Sequence, residues 1–259
     1  MRIQEPPVVS IITPNHNCAQ FIGEMICSVQ AQTCQDWELI IVDDCSTDES
    51  CEVVRSYMKS DPRIRLLQNS RNSGAAESRN LALREARGCW IAFLDSDDLW
   101  HPEKLEKQLR FMKEGGFAFS YTQYEEISES GESTGIIVSG PCHITKWGML
   151  GFCWLGCLTV MYDKKKLGGL QIADIKKNND YAMWLNLSRK ADCYLLPEVL
   201  AKYRRGRSGS ISSHSKITMT IWHYKMWRKA EGKSPFMAFL HTLLNLACGV
   251  LKKNYYVKR

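Results

Sequence analysis

Cysteine pairs and zinc-type clusters are missing from this sequence, although eleven cysteines are present. They are scattered singly, with no CxxC pair and no grouping of cysteine with histidine at zinc spacing. The six histidines also show no ligand spacing: His16, His101, His143, His214, His223 and His241. We therefore expect reduced, mostly buried thiols and no histidine-bound metal.

Long hydrophobic runs are also lacking. Residues 1–7 precede the first apolar stretch without the hydrophobic segment of a signal peptide, so we expect a cytoplasmic protein. The longest apolar segment, residues 236–251, is interrupted by His241, Thr242 and Asn245 and is shorter than the roughly 20 residues that a spanning helix needs. The sequence thus predicts no membrane-spanning helix.

Acidic residues are nearly absent from the C-terminal part, where Glu231 is the only one after Lys202. The net charge of +6 is therefore unevenly placed, which indicates an anionic partner for this part. Residues 216–259 combine basic with aromatic and aliphatic residues, a composition typical of amphipathic helices at an anionic membrane surface. The alternative is a helix pair that packs on the domain or between two copies in a homodimer.

Short apolar strands alternate with helix-forming stretches through residues 8–121. We expect strands at residues 8–13, 37–42, 64–67, 90–94 and 117–121, and helices at 19–31, 46–59, 74–86 and 102–113. This alternation predicts an α/β fold with a doubly wound, mostly parallel sheet of Rossmann-like type. Further on we expect a hairpin or loop at residues 124–141, a helix at 180–191 and one or two C-terminal helices.

Three aspartates, Asp95, Asp97 and Asp98, follow the predicted strand at residues 90–94. In an open α/β sheet, ligands bind at the carboxyl ends of the strands. Crowded carboxylates repel one another unless a cation neutralises them, and their oxygens suit Mn²⁺ or Mg²⁺ bridging to a phosphate. The stretch predicts a metal-nucleotide site, although a turn capping the helix near Pro102 would use the same residues.

Four blocks of residues stand at or near the predicted strand ends of the first half. They are Val9-Ser10-Ile11-Ile12-Thr13-Pro14 with Asn17, Ile41-Val42-Asp43-Asp44 with Ser46-Thr47-Asp48, Asn72-Ser73-Gly74 with Ala76 and Arg79-Asn80, and Phe93-Leu94-Asp95-Ser96-Asp97-Asp98. In order and spacing they resemble the nucleotide-binding half of family 2 glycosyltransferases, which adopt the GT-A fold. The resemblance implies a GT-A domain over residues 1–213, divided into a nucleotide-binding half at 1–121 and an acceptor half at 122–213. An amphipathic helical extension would follow at 214–259.

The resemblance implies that Thr13 and Asn17 belong to the nucleotide-sugar site and that Asp44 contacts uracil. A carboxylate can accept the imide N–H of uracil, whereas cytosine offers no proton at that position, so a uridine nucleotide is favoured. Asp43 and Asp44 could instead cap the helix that follows them.

The resemblance also assigns the diphosphate and the metal. Arg79 would face the diphosphate, Asp95 with Ser96 would lie near the ribose and the metal, and Asp97 with Asp95 would hold Mn²⁺ or Mg²⁺. Asp98 would support the turn or cap the next helix. An ordinary surface ion pair on a helix is the alternative for Arg79.

The stretch Asn179-Asp180-Tyr181-Ala182-Met183-Trp184-Leu185 resembles the acidic helix start on the acceptor side of the family. There the aspartate is the general base, so Asp180 is the predicted catalytic residue. An inverting transfer needs a carboxylate opposite the leaving diphosphate, in reach of the acceptor hydroxyl. A plain helix N-cap is the alternative for Asp180.

Residues 203–212 resemble a loop that closes over the nucleotide in many members of the family. Some relatives carry a histidine there as a further metal ligand, and this chain has Gly206 or Arg207 instead. We expect Arg204 and Arg207 to neutralise the departing diphosphate directly. A solvated basic loop is the alternative.

The resemblance implies an inverting, metal-dependent transfer of a hexose, glucose or galactose in β linkage, from a UDP-sugar to a saccharide. The acceptor would be carried on undecaprenyl diphosphate in bacterial O-antigen or surface polysaccharide synthesis, at the inner face of the cell membrane. No nucleic-acid partner is expected. A nucleotidyltransferase is the alternative enzyme, although residues 13–17 lack the glycine-rich phosphate loop such enzymes need. A non-catalytic UDP-binding or membrane-binding module is the alternative from another class.

Overall fold

The computed structural model describes residues 6–175, 177–206 and 216–258. Its strands are β1 (Val9–Asn15), β2 (Trp37–Asp43), β3 (Ile64–Gln68), β4 (Trp90–Phe93), β5 (Leu99–Trp100), β6 (Phe119–Ile127), β7 (Ser133–Val138), β8 (His143–Ile144), β9 (Met161–Asp163), β10 (Cys193–Arg204) and β11 (Val257–Lys258). Its helices are α1 (Ala19–Gln30), α2 (Ser50–Met58), α3 (Ala75–Glu85), α4 (Lys104–Glu114), α5 (Lys146–Gly151), α6 (Lys164–Leu167), α7 (Asn179–Ser188), α8 (Lys216–Lys229) and α9 (Pro235–Tyr255).

One mixed sheet organises the chain. Strands β3, β2, β1 and β4 lie side by side and parallel, as the alternation of strands and helices predicts. The chain order reverses between β1 and β4, which makes that boundary the point where an open sheet binds ligands. β9 then separates β4 from β6 and runs antiparallel to both. Pattern analysis missed β9, because three residues are too short to show a period.

Both faces of the parallel strands are covered, which explains their continuous apolar sequences. All seven residues of β2 are buried. On one face, Phe93 packs edge-on against Trp184 of α7 with ring centroids 5.4 Å apart. On the other face, α1, α2 and α4 contribute apolar side chains, with Met25 and Leu105 fully enclosed.

The helix predicted at residues 46–59 begins later, at Ser50. The carboxylate of Asp48 explains the difference, because it accepts hydrogen bonds from the backbone N–H groups of Ala19 (2.8 Å) and Ser50 (3.0 Å). Residues 44–49 therefore form a loop beside the end of β1. The predicted hairpin at residues 124–141 is confirmed by the antiparallel pair β6 and β7.

Two helices follow β10, as the sequence predicts for the C-terminal region, and they pack on the domain. Trp227 of α8 is fully buried, stacks on His241 of α9 at 4.3 Å and meets the ring of Tyr181 edge-on. After α9, β11 pairs with β7 of the main sheet. Within the described ranges, α9 is the one helix whose length and composition would suffice to cross a membrane.

Gly88 offers a test of how closely β1 and the start of β4 approach. A Cβ added at Gly88 would lie 2.5 Å from the backbone nitrogen of Ser10, so a larger residue forces two backbones apart. We expect Gly88→Ala to lower the free energy of unfolding by about 1–3 kcal/mol, measured by urea denaturation. Gly169→Ala is the matched control, because a Cβ added there would meet nothing within 4 Å. Equal stability of the two variants would contradict the packing.

Candidate functional site

An acidic turn follows β4 at the reversal point of the sheet. The N–H of Asp98 donates to the carbonyl of Asp95 at 3.1 Å, which closes the turn over Ser96 and Asp97. Asp95 and Asp97 are half-buried, while Ser96 and Asp98 are buried. The three carboxylates predicted to act together therefore occupy one turn at the ligand-binding edge.

Arg204, at the end of β10, holds this turn in place through hydrogen bonds. Its backbone N–H donates to Oδ1 of Asp98 at 2.9 Å, and its Nε donates to the carbonyl of Asp97 at 2.9 Å. Its two terminal nitrogens donate to the carbonyl of Glu129 and to Oε2 of Glu24, each at 2.7 Å. This placement differs from the predicted contact with the diphosphate, because the guanidinium is enclosed by protein and bound to protein oxygens.

Arg79 of α3 joins the acidic turn to the N-terminus of α7. One terminal nitrogen donates to Oδ1 of Asp95 at 2.5 Å, and the other donates to Oδ1 of Asn179 at 3.0 Å. Burial alone would lower the pKa of Arg79, yet Asp95 in contact and Asp180 nearby raise it above its ordinary value. The structure thus brings Arg79, Asp95 and Asp180 together.

Asn80, the next residue of α3, anchors the chain that leads into α7. Its Nδ2 donates to the carbonyl of Ile172 at 3.0 Å, and its Oδ1 accepts from the N–H of Ile172 at 2.7 Å. The two neighbouring residues of the Arg79-Asn80 block therefore hold two points of the acceptor half. Asn80 belongs to a block that resembles the family but had no predicted role, because its partner Ile172 lies 92 positions further along the chain.

Asp180 lies in the first turn of α7 and is half-buried. Burial raises the pKa of its carboxyl above the ordinary value of 3.8, and the nearby guanidinium of Arg79 counteracts only part of that rise. Its Oδ1 accepts from the N–H of Tyr181 at 2.8 Å. A carboxylate with a raised pKa accepts a proton more readily, which suits a general base.

Asp44 organises the loop on the other side of the site. Its Oδ1 accepts from the N–H of Ser73 at 2.8 Å and from Nδ2 of Asn69 at 2.7 Å, and its Oδ2 accepts from the N–H of Gly74 at 2.6 Å. The carbonyl of Asp44 contacts Nδ1 of His16 at 2.9 Å. Asp44 therefore holds the segment before α3 against the ends of β1 and β2.

The remaining predicted residues have different positions. Asn17 is exposed in a left-handed conformation, with φ of 49°, and its Oδ1 accepts from the N–H of Thr47 at 2.8 Å. Thr13 is fully enclosed within β1 rather than facing a cleft, and its hydroxyl has no hydrogen-bond partner within the described part of the chain. Arg207 lies outside the described residues.

The sequence offered Asp43 as a cap of the segment after β2 but did not predict its pairing with Asn15 at the end of β1. Nδ2 of Asn15 donates to Oδ1 of Asp43 at 2.8 Å, and the same oxygen accepts from the hydroxyl of Ser46 at 2.5 Å. Burial would raise the pKa of Asp43, yet the hydrogen bonds from Ser46 and Asn15 hold it below its ordinary value. Asp43 thus closes the loop after β2.

The acidic turn has the donor chemistry that a divalent cation needs. Burial first, and then the charges of Asp97 and Asp95, raise the pKa of Asp98 well above its ordinary value. This negative surplus fits a cation, and half-buried carboxylates supply the hard oxygen ligands that Mn²⁺ and Mg²⁺ prefer. No group of three or more candidate ligands is arranged to hold an ion by itself in the described ranges. Such a site fits an ion that one or two carboxylates share with substrate phosphates.

The sequence model of Glycosyl transferase family 2 matches residues 10–140, which cover the acidic turn and the loops that follow β1, β2 and β3. The chain belongs to glycosyltransferase family 2. The predicted family and the predicted GT-A fold are therefore confirmed, and the protein is a glycosyltransferase.

Two relatives show how far the similarity extends. TuaG of Bacillus subtilis (strain 168), a glycosyltransferase assigned to teichuronic acid biosynthesis, is 39% identical over 248 residues, covering 95% of this chain and 97% of its own. WfgD of Escherichia coli is named UDP-Glc:alpha-D-GlcNAc-diphosphoundecaprenol beta-1,3-glucosyltransferase. It is 39% identical over 217 residues, covering 83% of this chain and 84% of its own.

Solved structures share the fold. S. aureus TarS 1–349 in complex with UDP superposes with a TM-score of 0.67 at 21% identity, over 83% of this chain and 63% of that one. This chain therefore spans less than two thirds of that structure. Mannosyltransferase PcManGT of Pyrobaculum calidifontis, in complex with GDP-Man and Mn²⁺, gives a TM-score of 0.63 at 16% identity, over 93% of this chain and 70% of that one.

Replacing Arg204 tests the support of the acidic turn. Lysine keeps the charge but loses the planar fork, so Arg204→Lys cannot reproduce the three hydrogen bonds that the guanidinium donates to Asp97, Glu129 and Glu24. We expect the free energy of unfolding to fall by about 2 kcal/mol in chemical denaturation. Arg205→Lys is the control, because Arg205 is exposed and pairs with Glu126. A loss no larger than that of the control would contradict the role of Arg204.

Proposed function

We propose that this glycosyltransferase is an inverting, metal-dependent enzyme that transfers a hexose, glucose or galactose in β linkage, from a UDP-sugar to a saccharide hydroxyl. The observation that supports this most is the double contact of Arg79 with Asp95 and Asn179. It joins the acidic turn, which suits a sugar nucleotide, to the helix start that carries Asp180. Arg79 therefore connects the proposed donor side of the site to the proposed acceptor side.

The donor is a uridine nucleotide in this proposal. WfgD takes its glucose from UDP-glucose, by its name, and is 39% identical to this chain. Asp44 uses three acceptor positions on the loop before α3, and an ionised carboxylate has room for a further donor such as the imide N–H of uracil. Asn17 is exposed in the loop after β1, next to His16, whose ring contacts the carbonyl of Asp44.

The leaving diphosphate is stabilised on the side of the acidic turn. Asp97, with Asp95, would hold Mn²⁺ or Mg²⁺, which supplies positive charge to the diphosphate as it departs. Ser96 lies between these carboxylates in the turn. Arg79 keeps Asp95 in place and adds a fixed positive charge, and Arg204 holds the main chain of the turn so that its carboxylates need not reorganise.

Asp180 activates the acceptor. Its raised pKa gives its carboxylate a greater affinity for the proton of the attacking hydroxyl than an exposed aspartate has. The nearby guanidinium of Arg79 counteracts part of this rise in pKa, because its positive charge favours the ionised carboxylate. Attack from this side, opposite the diphosphate, inverts the configuration at the anomeric carbon.

The acceptor is a saccharide carried on undecaprenyl diphosphate, in the synthesis of a bacterial surface polysaccharide such as an O-antigen. WfgD and TuaG support this assignment, the first through its named acceptor and the second through its named pathway. A lipid-linked acceptor requires the enzyme to work at the inner face of the cell membrane, as a peripheral protein.

Replacing Asp97 tests the metal assignment. We expect Asp97→Ala to remove the Mn²⁺-dependent part of UDP binding, measured by isothermal titration calorimetry with and without the metal. Asp36→Ala is the control, because Asp36 is exposed and precedes β2 at the opposite edge of the sheet. An unchanged metal dependence in the Asp97 variant would refute the proposed ligand.

Replacing Asp180 tests the base. Asp180→Asn keeps the shape but cannot take a proton, so we expect transfer to fall at least about a hundredfold while UDP affinity is retained. The measurements are a UDP-release assay with acceptor and calorimetry with UDP. Full turnover in this variant would instead favour a non-catalytic role for Asp180.

The raised pKa of Asp180 also predicts two pH effects. Transfer should be lost as the pH falls through a value above 3.8, because the base is then protonated. The folded state binds this proton more tightly than the unfolded state does, so ionised Asp180 costs stability at higher pH. Asp180→Asn should therefore melt at or above the wild-type temperature at neutral pH, and the difference should shrink in acid. A lower melting temperature at neutral pH would contradict the shift.

A further inference from the structure

The outer face of α9 is a continuous apolar surface without a protein partner among the described residues. Its inward positions, Ala238, Thr242 and Asn245, are buried. Its outward positions are between 41% and 74% exposed, and they are Phe236, Met237, Phe239, Leu240, Leu243, Leu244, Leu246, Val250, Leu251 and Tyr255. We call these ten side chains the outer face of α9. A contiguous apolar surface of this kind on a folded domain marks an interaction site.

The charges around this face are of one sign. Neither α8 nor α9 contains an acidic residue. The nearest acid in sequence, Glu231, forms an ion pair with Arg189 and is almost fully buried. The exposed cations of α8, α9 and β11 are Lys225, Arg228, Lys229, Lys253 and Lys258. An exposed apolar face on a helix pair that carries cations and no acids suits a surface of acyl chains and anionic headgroups.

The contacts of α9 show that it lies along the domain. Its inner side chain Asn245 donates to the carbonyl of Gly151 at 3.2 Å and to the hydroxyl of Tyr181 at 3.1 Å. Near its end, Nζ of Lys252 donates to the carbonyl of Trp154 at 2.7 Å. Its start is held by the stacking of His241 on Trp227, and its end runs directly into β11, which pairs with β7.

These attachments exclude a transmembrane course for α9 in the folded protein. A helix of 21 residues is about 30 Å long, enough to span the hydrocarbon core. Crossing would carry one end of the helix to the far side of the membrane, and both ends are bound to the same domain. Asn245 would also lose its hydrogen bonds to Gly151 and Tyr181.

We propose that the outer face of α9 docks this protein onto an anionic membrane surface, with the helix lying in the plane of the headgroups. The inner face of the same helix touches Tyr181, the neighbour of Asp180, so the docked surface lies on the acceptor side of the site. A lipid-linked sugar would thus reach the base from the membrane, a consequence that rests on the function proposed above.

A second copy of the chain fits this face less well. In a two-fold dimer the same surface meets itself. The exposed cations of the two helix pairs would then approach their own counterparts, with no acids of α8 or α9 to balance them. An anionic bilayer supplies the balancing charge over the whole surface.

The test uses the full chain and vesicles made either of phosphatidylcholine alone or of phosphatidylcholine with phosphatidylglycerol. We expect co-sedimentation with the anionic vesicles only, and release by high salt. Replacing Phe239, Leu243 and Leu246 together by serine should weaken vesicle binding roughly tenfold or more. Replacing Arg228, Lys229 and Lys253 by glutamine should weaken it by a similar factor.

The matched control replaces Lys59, Arg110 and Lys113 by glutamine. These cations are exposed at α2 and α4, which cover the opposite face of the sheet from α9, so binding to anionic vesicles should persist. UDP affinity and the melting temperature, measured for every variant, show that each is folded. They also separate a failure of docking from a failure of the donor site.

Three results would overturn the proposal. Undiminished vesicle binding of the serine variant would remove the outer face of α9 from the contact. Resistance of the wild type to both salt and alkaline carbonate would indicate a helix that crosses the bilayer. A lipid-independent dimer that the serine variant converts to a monomer, measured by light scattering, would assign the face to a second copy.

Discussion

The contacts of one buried guanidinium hold the candidate site together. Arg79 is nearly inaccessible, and a charged group in such a position is tolerated only when it is paired and hydrogen-bonded. Asp95 and Asn179 accept hydrogen bonds from its two terminal nitrogens, at 2.5 and 3.0 Å, while its Nε has no hydrogen-bond partner among the described residues. The acidic turn and the start of α7, which are far apart in the chain, are therefore fixed relative to each other. The proposed base and the proposed metal ligand owe their proximity to this arrangement.

Many polar side chains around the site bind backbone groups of the protein. Fewer of them are therefore available to contact a ligand. Asp44 binds the loop before α3, Arg204 binds the acidic turn, and Asn80 binds the segment that leads into α7. Each contact holds a loop at the carboxyl edge of the sheet in a fixed conformation. Fixed dipoles and charges stabilise a developing charge better than mobile ones, because they need not reorient during the reaction.

The C-terminal helix α9 has two faces with different environments. The inner side of α9 has the buried polar bonds of a core helix, with Asn245 bound to Tyr181, while its outer side exposes a row of large apolar groups. A surface helix that packs only on its own domain typically has a polar outer face. The proposed docking accounts for both sides, since the domain orders the inner face and the lipid covers the outer one.

Local patterns in the sequence determined the strands β1 to β4, the helices between them and the family. Apolar runs ending in polar residues mark buried strands, and the order of the four blocks is a property of the chain alone. The sequence also placed Asp95, Asp97 and Asp98 at a strand end, and Asp180 at a helix start.

Only the tertiary structure decided which of these residues meet and which of them are enclosed by the protein. Arg204 had the composition of a phosphate-binding group, yet its partners Glu24 and Glu129 lie 180 and 75 positions away, and they enclose it. Thr13 is also enclosed by long-range packing, because neighbouring strands and covering helices decide which strand residues reach the carboxyl edge of the sheet. β9 and the bond between Asn80 and Ile172 also depend on long-range packing. A segment as short as β9 shows no hydrophobic periodicity, and the position of a side chain in the sequence does not reveal which distant residue it contacts in the fold.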